Sequence, residues 1–146
     1  MRYFTRYSGN MKKILLTGGL GYIGSHVAVE LAEKDYEILI IDNLSNSELF
    51  VLDRIKEITG KEVDFEEGDI RDEAFLRGLF DKYSIDGIVH LAAKKAVGES
   101  VQKPLLYYDV NVSGLVTLMK VVDDSQVKKF IFSSSCTFPD KNSDHY

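Results

Sequence analysis

Along the chain the apolar positions change period several times. Ile14-Leu15-Leu16-Thr17 is a continuous apolar run closed by glycines, and from Ile23 through Val27 and Leu31 the spacing turns helical, which predicts a strand, a tight turn and a helix. Glu37 to Asp42 (EILIID) is a second unbroken run, of the kind a parallel strand shows when helices cover both its faces. A polar loop, Asn43 to Ser47, follows. Leu52, Ile55 and Ile58 then mark a helix that Gly60 stops, and Glu62 to Glu67 alternates like a short strand near a sheet edge. Asp72 offers a helix cap, and Phe75, Leu76, Leu79, Phe80 and Tyr83 share one helical face. Asp86 to Leu91 reads as a fourth strand. After interruptions at Gly98 and Pro104, Leu115, Leu118, Met119 and Val122 mark a longer helix, and Lys129 to Ser133 reads as a fifth strand.

Strands that alternate with helices select an α/β fold with right-handed crossovers and helices on both faces of a parallel sheet. In the doubly wound (Rossmann) arrangement the predicted strand order is 3-2-1-4-5, ending before a sixth strand. Ligands bind such sheets where the order reverses. That point lies between the carboxyl ends of the first and fourth strands, so residues after Thr17 and after Leu91 are expected to line one crevice.

Composition narrows the choice of partners. The 146 residues carry a net charge of -5 with no basic stripe, which argues against nucleic-acid binding. The one cysteine, Cys136, excludes an internal disulfide framework and a cysteine zinc cluster and suits a reducing cytoplasmic setting; no metal site is expected. No run approaching the ~20 apolar residues of a membrane span is evident, so a soluble protein without a membrane partner is expected. Residues 1–10 read as a disordered extension, with Met11 a second candidate start, residues 11–137 as one nucleotide-binding domain, and residues 138–146 as a tail.

The chemistry concentrates at Gly18-Gly19-Leu20-Gly21-Tyr22-Ile23-Gly24, set between a strand and a helix. Gly18 can turn the chain, Gly21 can let the backbone approach a pyrophosphate, and Gly24 can bring helix and strand close. The first amides of the helix and its dipole attract phosphate, the dipole contributing ~0.3–1 kcal/mol. Asp42 ends the next strand, where a carboxylate can accept hydrogen bonds from both adenosine ribose hydroxyls and would repel a 2′-phosphate, which favours NAD. The alternative is a turn that only connects strand to helix, with Asp42 capping a loop.

The GxxGxxG spacing with Tyr22-Ile23-Gly24-Ser25 resembles the extended short-chain dehydrogenase/reductases. The segments Asp42-Asn43-Leu44-Ser45-Asn46-Ser47, Glu67-Gly68-Asp69-Ile70-Arg71-Asp72, His90 to Ser100 (HLAAKKAVGES) and Lys103 to Gly114 (KPLLYYDVNVSG) resemble the UDP-glucose 4-epimerase family from about Met11 to Thr137. The resemblance implies that Tyr22 and Ile23 contact the pyrophosphate, Asp42 through Ser47 (with Asn43, Leu44, Ser45 and Asn46) the adenosine ribose and its surroundings, and Asp69 with Ile70 the adenine. Leu91, Ala92, Ala93 and Lys95 would line the nicotinamide half, Lys95 being favoured over Lys94. Asn111 either binds cofactor or ties the long helix to the adjoining loop; Val110 stands where some relatives carry a second Asn. Ser135, third of the run Ser133-Ser134-Ser135, is the implied catalytic-site serine. His26 and His90 read as packing or surface residues.

The family's proton-transfer pair, Tyr-x-x-x-Lys, has no match in this sequence, and Phe138-Pro139-Asp140-Lys141 departs from the family's Val-Tyr-Gly continuation. The expectation is therefore a truncated piece, without the substrate domain and inactive alone. The whole enzyme would oxidise a UDP-hexose transiently at C4 with NAD, interconverting UDP-galactose and UDP-glucose, and pairing as a homodimer is possible through the long helices. Rival expectations are another extended relative such as a sugar-nucleotide 4,6-dehydratase, and a noncatalytic NAD-binding module.

Overall fold

The computed structural model describes residues 12–134. Its elements run β1 (Lys13–Thr17), α1 (Tyr22–Glu33), β2 (Glu37–Asp42), α2 (Phe50–Thr59), β3 (Asp64–Glu67), α3 (Glu73–Lys82), β4 (Gly87–His90), α4 (Val97–Gln102), α5 (Pro104–Tyr108), a π-helical turn (Asp109–Ser113), α6 (Gly114–Asp123) and β5 (Phe130–Phe132). The five strands are all parallel, in the order β3-β2-β1-β4-β5, as the alternation of elements predicts.

Side chains alternate across the sheet and build two apolar layers. Ile38 and Ile40 of β2 join Leu16 of β1 under Ala28 and Ala32 of α1 and Ile55 of α2. Leu39 and Ile41 of the same strand face the other way, joining Leu15 and Ile88 beneath Leu76 and Leu79 of α3 and Leu118, Val121 and Val122 of α6. A one-residue slip of β2 would exchange the two sets, so the core itself fixes the register. Local signals agree with this packing: Asp72 accepts a hydrogen bond from the Phe75 amide at 3.0 Å and caps α3, and Gly60 ends α2 in the left-handed conformation at φ 67°.

The long helix departs from expectation. It begins at Pro104, and α5, the π turn and α6 form one continuous helix, Pro104–Asp123. Proline suits the first turn of a helix because its missing N–H has no partner there in any case. This helix, 20 residues long with mean hydropathy 1.3, is long and apolar enough to cross a membrane by length and composition alone, which corrects the expectation that no such segment exists. Leu118, Val121 and Val122 nevertheless pack against the sheet. On its other side Leu105, Tyr108, Val112, Val116 and Met119 are exposed. β5 is an edge strand with Ile131 and Phe132 exposed.

Gly24 sits where α1 crosses the turn, and a Cβ there would overlap Gly18 O and lie 2.7 Å from Gly19 Cα. The obstacle is backbone, which has nowhere to move. Gly78 of α3 has nothing within 4 Å of such a Cβ. Gly24→Ala is therefore expected to destabilise the fold by roughly 2–3 kcal/mol, and Gly78→Ala to stabilise it by about 0.5–1 kcal/mol; urea unfolding of both variants checks the opposite signs.

Candidate cofactor-binding site

Three strand ends meet at the sheet's carboxyl edge. Gly18 leaves β1 at φ 68°, a left-handed conformation that favours glycine, and its amide donates to Ile41 O of β2 at 2.8 Å. A Cβ on Gly18 would lie 2.8 Å from both Ala92 Cα and Ala92 N, so the turn is pressed against the chain leaving β4. Gly21 differs from its neighbours: an added Cβ would meet only Gly18 O, at 3.3 Å. Gly21 caps α1 without a side chain, so the first amides of the helix have no side-chain acceptor at the cap. The fold demands glycine at 18 and 24, whereas at 21 the space saved lies outside the protein, as a phosphate cradle requires.

Asp42 ties the turn to the next loop. Its Oδ2 accepts from the Leu20 amide at 3.1 Å, and its Oδ1 accepts from the Leu44 amide at 3.0 Å and the Ser47 hydroxyl at 2.7 Å. With roughly four acceptor sites on a carboxylate, these three donors leave one on Oδ2 without a partner among the described residues. Leu44 takes a positive φ of 56° to bring its amide back to Asp42, and its side chain packs against the α1–α2 layer. Ser45 and Asn46 are exposed beside it.

In the loop after β3 Asp69 is fully engaged. Arg71 donates to it from its amide, Nε and Nη2 at 2.9, 2.9 and 2.8 Å, and Asn43 Nδ2 donates at 2.8 Å. The Arg71 guanidinium holds the Asp69 carboxyl well below the usual carboxylate range. Arg71 also reaches Asp109 of the π turn at 2.6 Å. An adenine amine would have to replace one of these donors. The Ile70 side chain is buried.

At the other end, Asn111 spans the Lys94 peptide: its Oδ1 accepts from Lys94 N at 2.8 Å and its Nδ2 donates to Lys94 O at 2.9 Å. The tie between long helix and loop is thus present. Val110 is buried in the core. Leu91 and Ala92 are half-buried, Ala93 and Lys95 exposed, while the Lys94 ammonium lies 3.8 Å from Glu99. Tyr22 and Ile23 are exposed at the mouth of α1. Ser135 lies outside the described residues.

Sequence reasoning missed Thr17. Its hydroxyl is buried between β1 and β4, accepting from the amides of Leu91 and Ala92, each at 3.2 Å, and lying 2.7 Å from His90 Nδ1. His90 itself is buried and stacks on Phe132 with centroids 5.8 Å apart. A β-branched residue ending a strand gave no sign of this role.

A family model described as GDP-mannose 4,6 dehydratase matches residues 15–138. A Klebsiella pneumoniae UDP-glucose 4-epimerase is 50% identical over 125 residues, covering 86% of this chain and 90% of that protein. The chain belongs to the UDP-glucose 4-epimerase family. Another of the family's members, from Neisseria meningitidis serogroup C, is 50% identical over 127 residues, and there the chain spans 38% of the relative's length. The Bifidobacterium longum epimerase, crystallised with NAD+ and UDP, superposes with a TM-score of 0.83 at 46% identity over 86% of this chain and 37% of that one.

Burial lowers the His90 pKa from 6.5 to about 4. In the window between those values the unfolded chain binds the proton and the folded chain does not, so stability falls as pH drops from about 6.5 to about 4, by on the order of 3 kcal/mol. Asp69, shifted down, adds its loss in stronger acid, below the ordinary carboxylate range. Urea midpoints measured between pH 7 and 4 are expected to fall steadily, and to fall less in His90→Asn, which has nothing to titrate at that position.

Proposed function

We propose that this chain is the NAD-binding part of a UDP-glucose 4-epimerase. The observation that carries the reading is the pairing of an open helix mouth at Gly21 with a carboxylate, Asp42, bonded to the same turn through Leu20. Amides of Tyr22 and Ile23 would take the pyrophosphate and Asp42 a ribose hydroxyl, with the loop Asn43 to Ser47 enclosing that sugar. The Asp69–Ile70 segment would border the adenine, and Leu91, Ala92, Ala93 and Lys95 the nicotinamide side. Asn111 supports that side through the Lys94 peptide. NAD, when bound, would supply a hydride acceptor and donor for the C4 position of a UDP-hexose. Ser135 would orient the sugar hydroxyl there. A 2′-phosphate would meet the Asp42 charge, so NAD is favoured over its phosphorylated form.

The chain spans well under half the length of several curated epimerases it matches, and its sequence holds no Tyr-x-x-x-Lys pair. Cofactor binding is the activity proposed for these 146 residues, in a reducing cytoplasm. The exposed stripe Leu105, Tyr108, Val112, Val116 and Met119 supports a homodimer through the long helix.

Calorimetric titration of the 146-residue chain with NAD tests the reading. Binding is expected, with Gly21→Val abolishing it while leaving the fold intact, and Asp42→Asn weakening it by about tenfold or more, the usual effect of losing a charge-assisted hydrogen bond. A folded chain with no affinity for NAD would refute the proposal.

A further inference from the structure

Thr17 Oγ has two lone pairs and one hydrogen, and the structure accounts for all three. Its lone pairs face the amides of Leu91 and Ala92 at 3.2 Å each. The hydrogen is left for the contact at 2.7 Å, which is His90 Nδ1. A proton on Nδ1 would bring three N–H donors onto one oxygen and strand the hydroxyl hydrogen in a buried position. Buried polar groups without partners cost far more than exposed ones. The amide of Leu91 has Thr17 O as a second acceptor at 3.1 Å, but among the described residues the Ala92 amide has only the hydroxyl.

We propose that His90 is a positioning residue for the cofactor crevice, held as the neutral Nε2-protonated tautomer so that Thr17 can fix the Leu91 and Ala92 peptides. The Ala92 peptide is the surface on which Gly18 rests. Histidine, threonine and the glycine turn therefore form one relay: the ring accepts, the hydroxyl accepts twice, and the floor of the crevice keeps its place beneath the turn. The stack of His90 on Phe132 and its tilted contact with Phe130, centroids 6.1 Å apart, hold the ring plane. His90 touches no substrate or cofactor atom in this scheme. The inference rests on the proposed NAD site for its functional meaning, although its chemistry is testable without any ligand.

Two measurements on the 146-residue chain decide it. Two-bond proton–nitrogen correlation spectra at neutral pH are expected to show His90 with Nδ1 bare and Nε2 protonated; a protonated Nδ1, or averaging between the tautomers, overturns the proposal. Amide hydrogen exchange at Ala92 is expected to accelerate by about tenfold or more in Thr17→Val and His90→Phe, which remove the hydroxyl or its acceptor. Thr17→Ser and His90→Asn, which retain them, are expected to exchange like the parent. Unchanged exchange in folded Thr17→Val also overturns the proposal, and if that variant fails to fold the tautomer measurement alone decides. NAD affinity should follow the same division among the variants. If the parent chain binds no NAD while tautomer and exchange behave as expected, the relay stands and the cofactor reading falls.

Discussion

The crevice depends on the close approach of three backbones where β1, β2 and β4 end. Gly18 bonds to the last residues of β2 and rests on the chain leaving β4, so no side chain can enter the junction without driving the strands apart. Parallel pairing on both sides of β1 brings those ends to the same level. The open mouth of α1 at Gly21 follows from this approach, because the helix begins only where the turn has finished folding back.

Around that junction polar groups are shared and not duplicated. Asp42 serves the turn with one oxygen and its own loop with the other; Thr17 serves two peptides and a ring. The π turn extends this sharing, since Asp109 reaches Arg71 in the loop after β3 and Asn111 grips the Lys94 peptide in the loop after β4. A π turn carries one extra residue compared with ordinary helix and commonly accompanies functional sites. Here it lets two residues of a single turn brace the loops that follow β3 and β4.

Much of this was legible in the sequence. The runs ILLT and EILIID, the glycines between strand and helix, and Asp42 at a strand end specify the sheet and its switch point because each is a local signal that agrees with the global fold. Asp72 and Gly60 behave as their residue types suggest. The start of the long helix is not legible, because Pro104 resembles a break until its place in the first turn is known, and its apolar character is hidden because Leu105, Tyr108 and Val112 stand on the opposite side from Leu118 and Val122. Asp69 reads as an available carboxylate in sequence, yet Arg71 and Asn43 already occupy it, a contact that only the meeting of two loops creates. Thr17 and His90 are separated by 73 residues, and nothing in either segment announces their pairing.

Leu44 carries a broader lesson. A residue with a Cβ pays of order 1–2 kcal/mol to adopt a left-handed backbone, and here the side chain is anchored in the layer between α1 and α2. The loop after Asp42 is thereby welded to core packing. Anyone grafting a different loop between β2 and α2 would be transplanting a hydrophobic foot along with the polar motif, and the recipient would need a socket for it.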